Sequence, residues 1–391
     1  MRCSPFALSA ALLSVASHGF ADEQPSADLR GTFAPLHHEA GLSTEPADSP
    51  DTGDITSVAR ISYAFRPVVL RDGGEIAYRV VEHQFTGDLG FSVGLAGRIT
   101  LGVDLPILLG QVGDDVRFDD RATEVLGDKP IPVSGLGDPG VRMKVTLVKP
   151  DTSTGSVRGF ALAVDERLTL PLGDETSFLG EGSVESLTRV LAELNPGVVS
   201  VHVYAGAKLR SDTGSYACPP SEPESACLSR FGHELPVGLG LALHTKDLGI
   251  DPDDRGTIFL EGRGYMPLDP VRPDESTLPA GYFASLTGRL RVGDAALLGG
   301  IEIALLDGVG NAPFRATLGV SFAPRAKDTD KDALPDDRDK CPTWAEDRDG
   351  FEDGDGCPEM DNDLDGVPDQ LDACRDQPGP ASEKESGCPK L

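Results

Sequence analysis

From Ile55 onward the chain alternates apolar and polar positions. Val141, Met143, Val145 and Leu147 fall on one side of an extended segment, with Arg142, Lys144 and Thr146 on the other. The same period sets Val199, Val201, Val203, Ala205, Ala207 and Leu209 against Ser200, His202, Tyr204, Gly206, Lys208 and Arg210. It also sets Phe314, Ala316, Leu318, Val320 and Phe322 against Arg315, Thr317, Gly319 and Ser321. Successive side chains of a strand point to opposite faces, so a period of two predicts strands with one apolar face. Applied to the whole chain, the pattern predicts twelve strands: 55–66, 76–96, 98–110, 138–149, 157–171, 184–194, 198–210, 232–246, 256–268, 282–293, 295–306 and 313–323. In 184–194, Val184, Leu187, Val190 and Leu194 fit helical spacing equally well.

The connections carry as much information as the strands. Those at 66–76, 111–137, 172–183, 211–231, 269–281 and 307–312 are mostly long. The intervening ones are mostly short: Gly97-Arg98, 150–156, Asn195-Pro196-Gly197, 247–255 and Gly293-Asp294. Long loops alternating with short turns mark a bacterial outer-membrane barrel, with the short turns in the periplasm. Each segment is near or above the roughly ten residues that a tilted membrane strand needs. The last strand, Thr317 to Phe322, resembles the aromatic-ended terminal strand by which such barrels are recognised for insertion. The expected fold is therefore all-β: an antiparallel transmembrane β-barrel of about twelve strands followed by an extended tail. A soluble β-sandwich would alternate in the same way. The polar face decides against it, because Arg142, Lys144, Asp165, Arg167, Lys208, Arg210, Glu261, Arg263, Arg289 and Arg291 suit a wet lumen and not a dry core.

The ends of the chain differ from this body. Met1-Arg2, the apolar run Phe6–Val15 and small residues before a cut after Ala21 predict a secretory signal peptide over 1–21. Residues 22–54 are rich in Pro, Ser, Asp and Glu without an apolar period, which predicts a flexible lead-in to a barrel over 55–324. Export agrees with the cysteines. Without Cys3 six remain, and in an oxidising compartment they read as disulfides. Of the fifteen possible pairings, the nearest neighbours in sequence are Cys218 with Cys227, Cys341 with Cys357, and Cys374 with Cys388.

The net charge of −29 argues against nucleic acid, whose phosphates need basic patches. It is also unevenly spread. From Asp328 onward 21 Asp and Glu face 7 Lys and Arg, a balance of −14, which marks a domain of its own over 325–391. Three segments of it repeat. Asp328, Asp330, Asp332, Asp336 and Asp339 lead to Cys341-Pro342. Asp347, Asp349 and Asp353, with Asp355 following in the same spacing, lead to Cys357-Pro358. Asp361, Asp363, Asp365, Asp369 and Asp372 lead to Cys374. Calcium takes six to eight oxygen ligands, and carboxylates at every second position beside a turn-forming Gly can wrap one ion. The tail has almost no apolar core, so ions and disulfides have to replace it.

This spacing resembles the thrombospondin type 3 repeat. The resemblance implies structural Ca2+, an extended chain wrapped around ions, and Cys-Pro staples between units. Ala333 stands where the repeat usually has Gly, and Arg375 where Pro is expected after Cys374. A barrel followed by such repeats is similar to the architecture of the outer-membrane protein A family, in which the repeats lead into a peptidoglycan-binding domain. The sequence ends at Leu391 without that domain, so peptidoglycan binding is not expected.

No catalytic role is expected. Gly90 to Gly94 matches G-x-S-x-G but lies inside an alternating strand, and Gly135 to Gly140 matches G-x-G-x-x-G but leads into a strand where a helix is required. The expected function is a structural or porin-like outer-membrane barrel with a calcium-binding periplasmic tail, its partners outer-membrane lipid and periplasmic or cell-surface proteins. The alternatives are a solute-specific channel and a soluble, secreted, calcium-binding adhesion protein.

Overall fold

The computed structural model describes residues 35–72, 75–114, 132–149, 159–174, 178–180, 182–195, 199–212, 214–216, 229–251, 255–268, 281–306, 311–324, 329–330, 332, 334, 336, 339–347, 350–352, 354–379 and 387–389. Contacts divide the chain into two units, 1–324 and 325–391. The predicted signal peptide lies outside the described residues. So do Cys218 and Cys227, and with them the disulfide expected between Cys218 and Cys227.

The first unit is built from β1 (Ile55–Asp72), β2 (Glu75–Leu95), β3 (Ile99–Val112), β4 (Gly135–Leu136), β5 (Gly140–Val148), β6 (Gly159–Thr169), β7 (Glu185–Asn195) and β8 (Val199–Arg210). It continues with β9 (Gly214–Tyr216), β10 (Ser229–Phe231), β11 (Glu234–His244), β12 (Gly256–Pro267), β13 (Gly281–Val292), β14 (Ala295–Ala304) and β15 (Phe314–Phe322). Each long strand pairs antiparallel with its neighbours in sequence, and β15 closes on β1 through partners from Ser57↔Phe322 to Phe65↔Phe314. The result is a closed twelve-stranded antiparallel barrel. Strand β4 is a two-residue addition beside β3, and β9 and β10 form a separate small hairpin. The ambiguous segment at 184–194 is a strand, β7, held in register from Thr169↔Glu185 to Gly159↔Asn195.

The radial pattern is inverted relative to a water-soluble protein. Outward positions are apolar and exposed, including Leu318 at 72%, Leu260 at 54% and Val203 at 43%. Inward positions are polar, charged and buried: Asp165, Arg167, Glu261 and Lys144 are each 2% exposed or less. A soluble sandwich buries the opposite set. Among the described residues no helix is long and apolar enough to cross a membrane.

One rim carries tight turns. Between β2 and β3, Arg98 N–H donates to Leu95 O at 3.2 Å, and Ala96 and Gly97 have φ of 51° and 56°, the mirror-image turn that suits strand twist. The first connection at the opposite rim departs from expectation. In place of a loop at 66–76, β1 and β2 stay paired out to Asp72↔Glu75. Pro67 cannot donate to the ladder, and the irregularity it introduces is absorbed by register shifts beginning between Phe65 and Val68.

A second departure concerns the lead-in. Of the lead-in expected over 22–54, residues 22–34 lie outside the described residues, and 35–50 do not behave as a flexible segment: Leu36, Ala40, Leu42, Thr44, Glu45 and Ala47 are all buried, at 7% exposure or less. Their partners are polar side chains of the inner wall, so the segment is ordered by hydrogen bonds and ion pairs and not by apolar periodicity.

The second unit has no strand among its described residues. It is stapled by Cys341–Cys357 and Cys374–Cys388, each with Cα atoms 5.0 Å apart.

Candidate functional site: the lumen wall and an acidic metal centre

Charged groups on the inner wall are arranged in pairs, as burial requires, since an unpartnered buried charge is costly. Arg167 grips Asp104 in a bidentate fork at 2.9 and 2.6 Å, and Arg263 grips Glu302 at 2.8 and 2.8 Å. Asp165 sits between Arg142 at 2.5 Å and Arg189 at 2.7 Å. Lys208 and Arg210 share Glu185 at 2.5 and 3.3 Å. The Asp165 and Glu185 groups link neighbouring strands, whereas Arg167–Asp104 reaches across β5 and Arg263–Glu302 across β13.

The 35–54 segment enters this network. Glu261 on β12 accepts the backbone N–H groups of Leu42, Ser43 and Thr44 at 2.8, 3.0 and 2.8 Å, and the hydroxyls of Ser43 and Thr44 at 3.2 and 2.8 Å. From β1, Arg60 donates to Gly41 O and Leu42 O at 3.0 and 3.3 Å. From β5, Lys144 donates to Pro46 O at 3.1 Å and Thr146 to Ala47 O at 2.9 Å. The Glu45 carboxylate is held by Arg142 and by Arg189, the latter at 3.1 Å. Ser92, the serine of the G-x-S-x-G match, is buried in β2 and donates to Leu36 O at 3.1 Å. Its hydroxyl is occupied in fastening this segment.

In the acidic unit one carboxylate bond recurs. An Asp oxygen accepts the backbone N–H two residues on: Asp332 from Leu334 at 2.7 Å, Asp339 from Cys341 at 2.7 Å, Asp355 from Cys357 at 3.0 Å, Asp365 from Val367 at 2.8 Å and Asp372 from Cys374 at 2.7 Å. Such local bonds fold a polar chain that has no core. Two halves of the unit also match bond for bond. Thr329 N–H to Asp336 corresponds to Asn362 N–H to Asp369, and Glu346 N–H to Asp332 corresponds to Gly379 N–H to Asp365.

Other carboxylate oxygens of the unit turn inward. Asp361 Oδ1, Asp363 Oδ2, Asp369 Oδ2, Asp372 Oδ2 and Asp339 Oδ2 are buried, with no hydrogen-bond partner among the described residues. Asp361, Asp363 and Asp365 present ligand atoms within 4.8 Å of one another, as do Asp330, Asp332 and Asp339. Loss of solvent raises the Asp363 carboxyl above its ordinary value, and the charges of Asp365, Asp372 and Asp361 push the same way. An all-oxygen, multiply charged cage with inward-facing oxygens fits a hard cation such as calcium and offers nothing to a soft one.

Of the carboxylates singled out by spacing, Asp330, Asp332, Asp339, Asp361, Asp363 and Asp365 are brought into clusters, and Asp369 and Asp372 contribute inward oxygens beside them. Both oxygens of Asp336 are engaged by Thr329. Asp347 gathers with Glu346 and Glu359, and a neighbouring group joins Glu352, Asp355 and Glu359. Asp328, Asp349 and Asp353 lie outside the described residues. Of the six cysteines expected in disulfides, Cys341, Cys357, Cys374 and Cys388 pair as their spacing suggested. For Cys218 and for Cys227 the expectation stands on the sequence alone, both lying outside the described residues. Glu346, Glu352 and Glu359 were missed because the template counted aspartates at alternate positions, and Asp355, though in the spacing of the second repeat, was not assigned as a ligand. Their signal was the run of carboxylates flanking Cys357.

The thrombospondin type 3 repeat family model matches residues 346–382. None of the curated proteins compared with the chain matches it. Among solved structures, the chain is similar to an outer membrane channel from Pseudomonas putida F1 at 16% identity and a TM-score of 0.50, over 72% of this chain and 100% of that one. It is also similar to the NanC porin at 9% identity and a TM-score of 0.42, over 68% and 98% of the two chains. A Pseudomonas aeruginosa FadL homologue aligns at 10% identity and a TM-score of 0.31, over 78% and 98%. The first of these shares the barrel fold with the present chain.

Proposed function

We propose that this chain is a porin-like or structural outer-membrane protein, not an enzyme, whose barrel spans the bilayer and whose tail binds calcium in the periplasm. The observation that carries the reading is the inverted barrel: closed strands with exposed leucines and valines outside and buried ion pairs inside. Lipid solvates the first face, and a lumen accommodates the second. The resemblance to an outer membrane channel supports the same placement. The tail follows β15, whose Phe322 pairs with Ala295 beside the Gly293-Asp294 turn. The rim of short turns is periplasmic in such barrels, so the tail emerges on that side. The repeat match and the inward carboxylate oxygens support calcium as its structural ion.

Fractionation with unboiled electrophoresis tests the barrel. The protein should sediment with outer membranes and migrate faster unboiled than boiled. Recovery in the soluble fraction with no heat-dependent shift would refute the reading. Limited proteolysis of the full chain tests the tail. Calcium should protect the region 329–379 and chelator should expose it, while the barrel stays intact. Identical digests would remove calcium from the account.

A further inference from the structure

Residues 35–50 meet inward groups from strands all around the barrel: Arg60 on β1, Ser92 on β2, Lys144 on β5, Glu193 on β7, Glu261 on β12 and Arg289 on β13. A segment bonded to so many strands of a closed barrel crosses its interior. The wall is also shaped to receive it. A Cβ built on Gly90 of β2 would lie 2.5 Å from Leu36 Cδ2, while its next neighbours are 3.8 Å away. A Cβ on Gly240 of β11 would strike Thr44, which supplies all three of its nearest atoms. At these two lumen positions glycine is required by the inserted segment and not by the strand, where it is normally unfavourable.

We propose that residues 35–50 are a plug that closes the lumen, and that Glu45 occupies a site which takes the anionic group of a solute once the plug is displaced. The proposal rests on the membrane-barrel reading. Its chemical part follows from the charges around Glu45. Arg142 and Arg189 bind the Glu45 carboxylate directly, and Lys144 is tied to the next residue through Pro46 O. With Glu45 gone, the described ion pairs of Arg142 and Arg189 reduce to the one carboxylate of Asp165. Rings of Arg and Lys select anions in pores, and the guanidinium fork matches a carboxylate or phosphate.

The test compares the purified full-length protein with the double variant Gly90→Val, Gly240→Val in planar bilayers under a potassium chloride gradient. Valine suits a strand and fills the two notches, so it expels the plug without altering the plug's sequence. The wild type should be close to silent, and the variant should carry stable current with a reversal potential on the chloride side. Glu261→Gln, which weakens the anchor for three backbone N–H groups, should flicker open and serves as an independent route to the same state. Wild-type current equal to that of the variants would overturn the plug. So would silence of variants that retain heat-modifiable migration. Potassium-selective current would overturn the anion site. Loss of heat-modifiable migration in the wild type itself would refute the barrel reading, and the plug with it.

Discussion

At the scale of single residues, the acidic tail is governed by where each carboxylate sends its second oxygen. Asp363 gives one oxygen to Asp365 N–H at 3.1 Å and turns the other into the cluster. Asp376 lies in none of the four acidic groups. Asp363→Ala should therefore weaken calcium protection of the tail strongly, and Asp376→Ala hardly at all; equal effects in a proteolysis titration would contradict the site. The direction of the Asp363 shift sets a pH dependence. Its carboxyl is raised in the folded, ion-free chain, so the folded state holds its proton more tightly than the unfolded one. Ion-free tail stability should fall as pH rises through the acidic range, because the ionised Asp363 is poorly solvated and faces the charges of Asp365, Asp372 and Asp361. With calcium bound the sign reverses, since protons then compete with the ion, and protection should be lost as pH falls. Amide exchange of the tail against pH, with and without calcium, checks both signs. A single slope in both conditions would show that Asp363 is not part of an ion site.

At the scale of elements, the strands were legible because each carries its own signal. In β5 and β8 the period-two pattern points Val141 and Val203 outward and Arg142 and His202 inward without reference to any partner. Strand β7 was ambiguous in isolation and is settled only by its ladders to β6 and β8. The inserted segment was not legible, because nothing in Leu36 to Pro50 is periodic and its partners are distant in sequence. Glu261 lies more than 200 residues from the three N–H groups it collects. A signal did exist, in the lumen-side glycines Gly90 and Gly240, which interrupt strands for no local reason. The staples invite a further prediction. Reducing Cys341–Cys357 should loosen the first half of the tail and leave Cys374–Cys388 intact under mild reductant with calcium present, because the two halves have separate bonds. Mass mapping after partial reduction reads this directly, and obligatory joint reduction would contradict it.

At the scale of the whole molecule, the arrangement of apolar outside and charge inside is consistent only with two solvents, lipid around the barrel and polar matter within it. Val203→Arg should cost about 2–4 kcal/mol of barrel stability in a bilayer, because a charge then faces hydrocarbon near mid-depth. Such a cost should appear as a lower folded yield in vesicles. The most direct test of the central claim is a nitroxide attached at Val203→Cys in native outer membranes, with the structural disulfides intact. The spin label should relax strongly with oxygen and weakly with a water-soluble nickel complex, as a lipid-facing position does. Strong relaxation by the nickel complex and weak relaxation by oxygen would place this face in water and contradict the membrane barrel.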